Sequence, residues 1–384
     1  MKRFYLAMTV IERRIKNGNL PMSHVRVPKI ERFFPAHPAV RARFDREARK
    51  FPVDTSDRDA LEAWRSEVRK HLMSITGIDT MHATDPRPVV TESVVCDGYT
   101  RSRIEIYTEP DVVMPFYALV PDDMKSGERR PVVIAPHGHG SGGKNLTVGR
   151  SDIPAVAEAM SKFNADYAHR FAKAGLVVFA PDARAFGERR EPVGQMDDEQ
   201  SFMTSTCTPL NHAAIALGQS LTGMWTWDLM RLLDYALSRD DCDSSRIGCA
   251  GLSGGGLQTL WLAALDDRVS TAVVSGYFYG YRDSLLDMNA NCGCNYVPGL
   301  WQAVDMGDLG AMVAPRPLFI ETGSRDPLNG ARGLPNVLEQ VRISQAAYDV
   351  CGASSNLIHD VCEGEHEWFG VTAEPWLQEQ LGWS

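Results

Sequence analysis

Residues 246–262 read Arg-Ile-Gly-Cys-Ala-Gly-Leu-Ser-Gly-Gly-Gly-Leu-Gln-Thr-Leu-Trp-Leu. The first part is a short apolar run of strand character, and the last part has the composition of a buried helix. Between them stands Gly251-Leu252-Ser253-Gly254-Gly255, the one Gly-x-Ser-x-Gly of the chain. A serine at such a junction sits on a sharp turn in a strained backbone conformation. Bulky neighbours would collide with the strand or the helix, and Gly251 and Gly255 remove that collision. The hydroxyl then projects at the carboxyl end of a strand. The Gly254 amide opens the following helix, where it can stabilise a developing negative charge. A glycine-rich turn with an incidental serine is the plainer reading, but the strand before and the helix after favour a nucleophile.

Outward from this point the strand and helix signals alternate. Residues 89–96, 103–108 and 115–120 read as strands of an antiparallel start. Further strands are expected at 131–135, 176–180, 246–250, 270–275, 317–322 and 356–361. Helices are expected at 155–174 (one helix, ended by Gly175), 225–238, 257–265, 336–350 and around 376–381. This rhythm predicts an α/β fold, a mostly parallel doubly wound sheet with helices on both faces. Two stretches break it, 187–224 and 277–313, rich in glycine, methionine and aromatics. Long insertions at strand ends commonly build pockets. Trp225, Trp227, Tyr277, Phe278, Tyr279, Tyr281 and Trp301 are candidates for a pocket wall or for plain core. Residues 1–85 look different: Pro21, Pro28, Pro35, Pro38 and Pro52 punctuate a charged stretch. There Leu61, Trp64, Val68 and Leu72 recur at helical spacing after a candidate cap at Ser56 or Asp57. We expect an N-terminal helical extension over 1–85 on a catalytic domain over 86–384. An oligomer arm or a wall of the active site is the alternative for the extension.

The 384 residues suit one large domain with additions. With 44% hydrophobic and 23% charged residues the chain has the composition of a globular protein. Its net charge of −9 argues against a nucleic-acid surface, which needs a basic stripe. No apolar stretch approaches the roughly 18 residues of a membrane span. The apolar run at 4–11 is followed at once by Glu12, Arg13 and Arg14 and does not read as a signal peptide. A soluble, cytoplasmic protein is expected. The eight cysteines are scattered and read as reduced thiols. Cys292 and Cys294 have no visible partner pair at metal-ligand spacing, so no metal or cofactor is expected.

Two further residues complete a candidate chemistry. Asp326 follows the strand expected at 317–322, and His366 follows the last strand, in Glu363-Gly364-Glu365-His366-Glu367. The order serine, acid, histidine along the chain is that of the strand–Ser–helix hydrolases. Each residue lies in a loop past a strand's carboxyl end, so nucleophile, base and orienting carboxylate converge on one rim. Glu321 and Asp360 are competing acids. The loop Pro136-His137-Gly138-His139-Gly140-Ser141-Gly142-Gly143 follows a central strand, and the His139 N–H is a candidate second oxyanion donor. His137-x-His139 could be half of a metal site, but no complementary ligands are visible in the sequence. Gly138 to Lys144 also fits the phosphate-cradling Gly-x-x-x-x-Gly-Lys. Asn145 stands where Ser or Thr would hold magnesium, so a nucleotide is disfavoured.

These residues resemble bacterial α/β-hydrolases related to acetyl xylan esterases and dienelactone-hydrolase-like proteins. The resemblance runs over about 60–384. It rests on His-Gly-His-Gly at 137–140, Pro-Asp-Ala-Arg-Ala-Phe-Gly-Glu-Arg at 181–189, the glycines at 251–256, Ala314-Pro315-Arg316-Pro317, and the surroundings of Asp326 and His366. It implies the α/β-hydrolase fold, a Ser253–Asp326–His366 triad, and oxyanion donors at the N–H groups of His139 and Gly254. It also implies hydrolysis of a small carboxylic ester, such as an acetylated carbohydrate. Dienelactone hydrolases carry a cysteine where this chain has Ser253, which argues against their chemistry. A peptidase or amidase, and a ligand-binding homologue without turnover, are the alternatives.

Overall fold

The computed structural model describes residues 32–192, 198–287 and 291–383. The run at 4–11 and Pro21 and Pro28 lie outside the described residues. The chain divides into two compact units, 1–40 and 41–384. Of the first, 32–40 are described and carry the opening of the helix His37–Glu47.

The second unit is built on one nine-stranded sheet. Its strands are β1 (Val89–Val95), β2 (Tyr99–Glu109), β3 (Val112–Pro121), β4 (Arg130–Ile134), β5 (Val177–Pro181), β6 (Cys242–Leu252), β7 (Thr271–Ser275), β8 (Leu318–Gly323) and β9 (Leu357–Cys362). The spatial order is β1-β2-β3-β5-β4-β6-β7-β8-β9. The first three strands form an antiparallel meander, and β3 meets β5 antiparallel. From β5 through β4, β6, β7 and β8 to β9 every pairing is parallel. β6, which leads into Ser253, therefore lies inside the sheet with β4 on one side and β7 on the other.

The parallel strands are buried because both faces are covered, which is why they read as unbroken apolar runs. Successive side chains alternate between faces. Val132 and Ile134 enter one core, and Val133 and Ala135 enter the other. The first core is closed by the helices Arg58–Thr76, Leu221–Leu237, Gly254–Leu265, Met306–Val313 and Leu334–Val350. The second is closed by Pro154–Phe163, Tyr167–Lys173 and Ala373–Gln380. The helix Arg58–Thr76 starts with Asp57 accepting from the Ala60 N–H at 2.8 Å. Its Leu61, Trp64, Val68 and Leu72 all enter the first core.

Two expectations shift. The single helix expected at 155–174 is two, broken at Asn164, whose φ of 50° is left-handed. The break has a tertiary cause: the Asn164 side chain donates to the Trp368 carbonyl at 2.7 Å, and the Trp368 N–H donates to the Phe163 carbonyl at 2.9 Å. The helix expected from residue 225 begins at Leu221, with the Ser220 hydroxyl accepting from the Gly223 N–H. The stretch 187–224, read as an insertion, carries the helix Cys207–Ala216. Among the described residues no helix is long and apolar enough to cross a membrane.

Candidate active site

Ser253 follows β6 and holds the position just before the helix Gly254–Leu265, with φ 59° and ψ −119°. Its N–H is held by the Ser275 carbonyl at 2.9 Å. The close approach that the flanking glycines allow is visible in distances. A Cβ on Gly255 would lie 2.3 Å from the Pro136 carbonyl oxygen, and one on Gly251 would lie 2.5 Å from the Gly255 carbonyl. Any side chain at either position forces backbone to move.

Asp326 and His366 meet. His366 Nδ1 lies 2.6 Å from Asp326 Oδ2, a charge-assisted bond with the carboxylate almost wholly buried. The other Asp326 oxygen accepts from the Leu328 N–H at 2.8 Å, which fixes the carboxylate plane. The competing acid Glu321 is engaged elsewhere: it accepts from the Ser275 hydroxyl and from the N–H groups of Phe369 and Gly370. Burial pushes its carboxyl up. Ser253 and His366 line the same cavity, but the structure draws no hydrogen bond between the Ser253 hydroxyl and the imidazole.

Two cavities, each about 300 Å³, share Ser253, His366 and His139. One extends past Tyr277, Tyr279 and Asn295, the other past Leu146, Phe163 and Tyr167. The insertion at 277–313 thus supplies wall. Among the described residues, the stretch 187–224 supplies none to these two cavities. Of the candidate aromatics only Tyr277 and Tyr279 reach them. Trp225, Trp227, Phe278 and Tyr281 are core, and Trp301 packs on Tyr281 and Tyr296.

The loop at 136–143 approaches Ser253 closely. A Cβ on Gly138 would meet the Leu252 carbonyl at 2.8 Å, and one on Gly254 would meet His139 Nδ1 at 3.0 Å. Among the described residues neither the His139 nor the Gly254 N–H is drawn to a protein acceptor. The two histidines of the loop differ. His137 is buried, its Nε2 accepts from the Ala183 N–H at 3.1 Å, and its Nδ1 lies 2.8 Å from the Gly138 carbonyl. That pattern places the proton on Nδ1 and leaves the ring neutral. Burial, partly opposed by Asp182, holds His137 down at about 4.

The nucleotide alternative fails on Lys144. Its buried ammonium is 2.6 Å from Asp182 Oδ2 and 2.5 Å from Glu188 Oε1, so no cation faces a phosphate there. Arg184 and Arg189 are likewise held, both on Asp228, with Arg184 also on Glu109. The segment at 181–189 is an ion-paired scaffold beneath the site.

The expectation of no complementary ligands for His139 is corrected. The structure brings Cys207, Cys292 and Cys294 around it, with all four ligand atoms within 4.8 Å of one another. Cys292 and Cys294 were visible as a pair, but Cys207 and His139 come from distant segments, so no local spacing announced the group.

The Abhydrolase family model matches residues 32–357. The chain belongs to this family. Among curated proteins it is similar to "Putative hydrolase YtaP" of Bacillus subtilis (strain 168), at 27% identity over 293 residues, 74% of this chain and 90% of that one. Among solved structures it is similar to a "putative acetyl xylan esterase" from Bacteroides fragilis NCTC 9343, with TM-score 0.73 and 19% identity over 92% of this chain and 97% of that chain. A glucuronoyl esterase from Solibacter usitatus matches with TM-score 0.62 and 14% identity, over 88% and 97% of the two chains. At these identities the likeness to solved structures is one of fold.

Proposed function

We propose that this Abhydrolase family chain is a serine esterase acting on a small carboxylic ester, with Ser253 as nucleophile, His366 as base and Asp326 as orienting carboxylate. The observation that carries the reading is the 2.6 Å bond from buried Asp326 to His366, which shares one cavity wall with Ser253, a positive-φ serine at a helix start. The names of the structural neighbours, acetyl xylan esterase and glucuronoyl esterase, favour an ester of a carbohydrate or uronic acid.

The geometry supports acyl transfer in two stages. Substrate enters with its carbonyl carbon against Ser253 Oγ, and rotation of the serine side chain brings the hydroxyl to His366 Nε2. The hydroxyl oxygen bonds to carbon while its proton passes to His366, and Asp326 holds the imidazolium. The N–H groups of Gly254 and His139 receive the oxyanion. The proton then goes to the leaving alcohol, and an acyl group remains on Ser253. Water, deprotonated by the same imidazole, releases the acid and restores the serine.

Ser253→Ala is expected to remove hydrolysis of p-nitrophenyl acetate, by about 10³-fold or more, with an unchanged melting curve. Wild-type protein, but not the variant, should be labelled by a fluorophosphonate. Full turnover by Ser253→Ala would remove this serine from the reaction. A matched ester and amide pair separates esterase from amidase.

A further inference from the structure

Three segments distant in sequence meet at the loop that carries His139, and each brings sulfur or imidazole. His139 comes from the loop after β4, Cys207 opens the helix Cys207–Ala216, Cys292 precedes the short turn Gly293–Asn295, and Cys294 lies within it. Cys207 and Cys294 are buried, and His139 and Cys292 half-buried. The His139 ring stands edge-on to Phe186 at 5.0 Å, and its Nε2 is 3.6 Å from Cys294 Sγ. In a tetrahedral zinc site with Zn–S near 2.3 Å, neighbouring ligand atoms lie about 3.8 Å apart. A group whose four atoms all lie within 4.8 Å needs only small side-chain movements to reach that spacing.

The surroundings are built to hold these ligands. The Cys294 carbonyl accepts from the Thr222 hydroxyl at 2.5 Å, and the Gly293 carbonyl from the Asn211 amide at 2.7 Å. Asn295 directs its amide N–H at the Cys292 carbonyl, 3.1 Å away, and at Cys294 Sγ, 3.6 Å away, and is itself held by the Tyr277 hydroxyl. Donors aimed at a ligating sulfur, and a turn fixed by buried side chains, are the outer arrangement of a metal site. None of these side chains has a part in the hydrolytic steps.

We propose that His139, Cys207, Cys292 and Cys294 form a Cys₃His site for a tetrahedral thiophilic divalent cation, zinc by ligand type. Three thiols release their protons to solvent as the sulfurs ligate, and neutral His139 gives its Nε2 lone pair. All four positions are filled by protein, so the ion is structural and leaves no place for substrate. It clasps both long insertions to the loop that carries the candidate oxyanion donor, and Cys292 and His139 are at once ligands and cavity wall.

The test is metal content and cobalt spectroscopy on the full chain. Protein purified without chelator from zinc-supplemented cells is expected to carry about one zinc per chain by mass spectrometry of the metal. Zinc-free protein titrated with Co²⁺ should give the visible bands of tetrahedral cobalt and a near-ultraviolet thiolate charge-transfer band, saturating at one equivalent. Cys294→Ser should weaken that band and metal retention, while Cys351→Ser, outside the group, should leave both unchanged. Ser253→Ala keeps all four ligands and should bind as the wild type does, so loss of hydrolysis and loss of metal are read separately. Zinc below about 0.1 equivalent together with no charge-transfer band at equimolar cobalt would overturn the site. So would a native protein whose intact mass shows two of these thiols joined as a disulfide.

Discussion

At the scale of single residues, the candidate site depends on contacts that side-chain chemistry alone does not reveal. Gly255 faces a carbonyl at a distance no Cβ tolerates. Gly255→Ala should therefore destabilise the chain by about 1–3 kcal/mol and lower esterase activity more than its stability loss explains, because the strand–helix junction must spread. A melting curve and kcat/KM for p-nitrophenyl acetate check both; an unchanged pair would mean the junction has room. Asp326→Asn keeps the shape but gives His366 a neutral partner. We expect kcat to fall by about 10⁴-fold with KM little moved. A loss of less than tenfold would point to another acid. Ser253, Asp326 and His366 could be singled out in the sequence because each sits in a loop past a recognisable strand. The thiol group around His139 could not, since its members share no local pattern and only the folded chain brings them together.

At the scale of elements, the helix Leu221–Leu237 packs on the sheet and also holds the scaffold beneath the site. Its Asp228 is buried and receives Arg184 and Arg189. Burial by itself would raise this carboxyl, but the two guanidinium groups more than offset it and hold it well below the usual range. A carboxyl lowered on folding contributes stability that is present above the unfolded-state value, about 3.9, and is lost as pH falls below it. Wild-type stability should thus decline below about pH 4 partly through Asp228. Asp228→Asn should cost about 3–5 kcal/mol near neutral pH, because it leaves two buried arginines underpaired. Urea melts at pH 7 and pH 3.5 test this: the gap between the variant and the wild type should narrow in acid, and a gap that widens contradicts the assignment. The strands were legible because both sheet faces are covered, leaving continuous apolar runs such as Val177 to Ala180. The break at Asn164 was not, because its cause is Trp368, a residue distant in sequence. The helix start at Leu221 was obscured by the apolar and glycine residues that run across it.

At the scale of the molecule, the helix Arg58–Thr76 is part of the main core. Leu72→Ala should cost about 2–5 kcal/mol, read by chemical denaturation. A chain starting at residue 86 should lose cooperative melting, since six buried side chains from Leu61 to Met81 would leave the first core. An unchanged melt would make the helix an accessory. The overall architecture could be read from the alternation of strand and helix signals, whereas the placement of the insertions could not, because their glycine and aromatic content fits wall and core alike. Two cavities share Ser253 and His366. Under the proposed mechanism, when the alcohol half of an ester departs, the acid half is still anchored and the vacated side stays open to whatever is dissolved nearby. Water would then have rivals: a hydroxyl compound fitting alongside Tyr277 or Tyr167 would capture the acid half before hydrolysis does. Such a chain would move acyl groups from one alcohol to another as well as cleave them, in proportion to how well each newcomer fills the empty side.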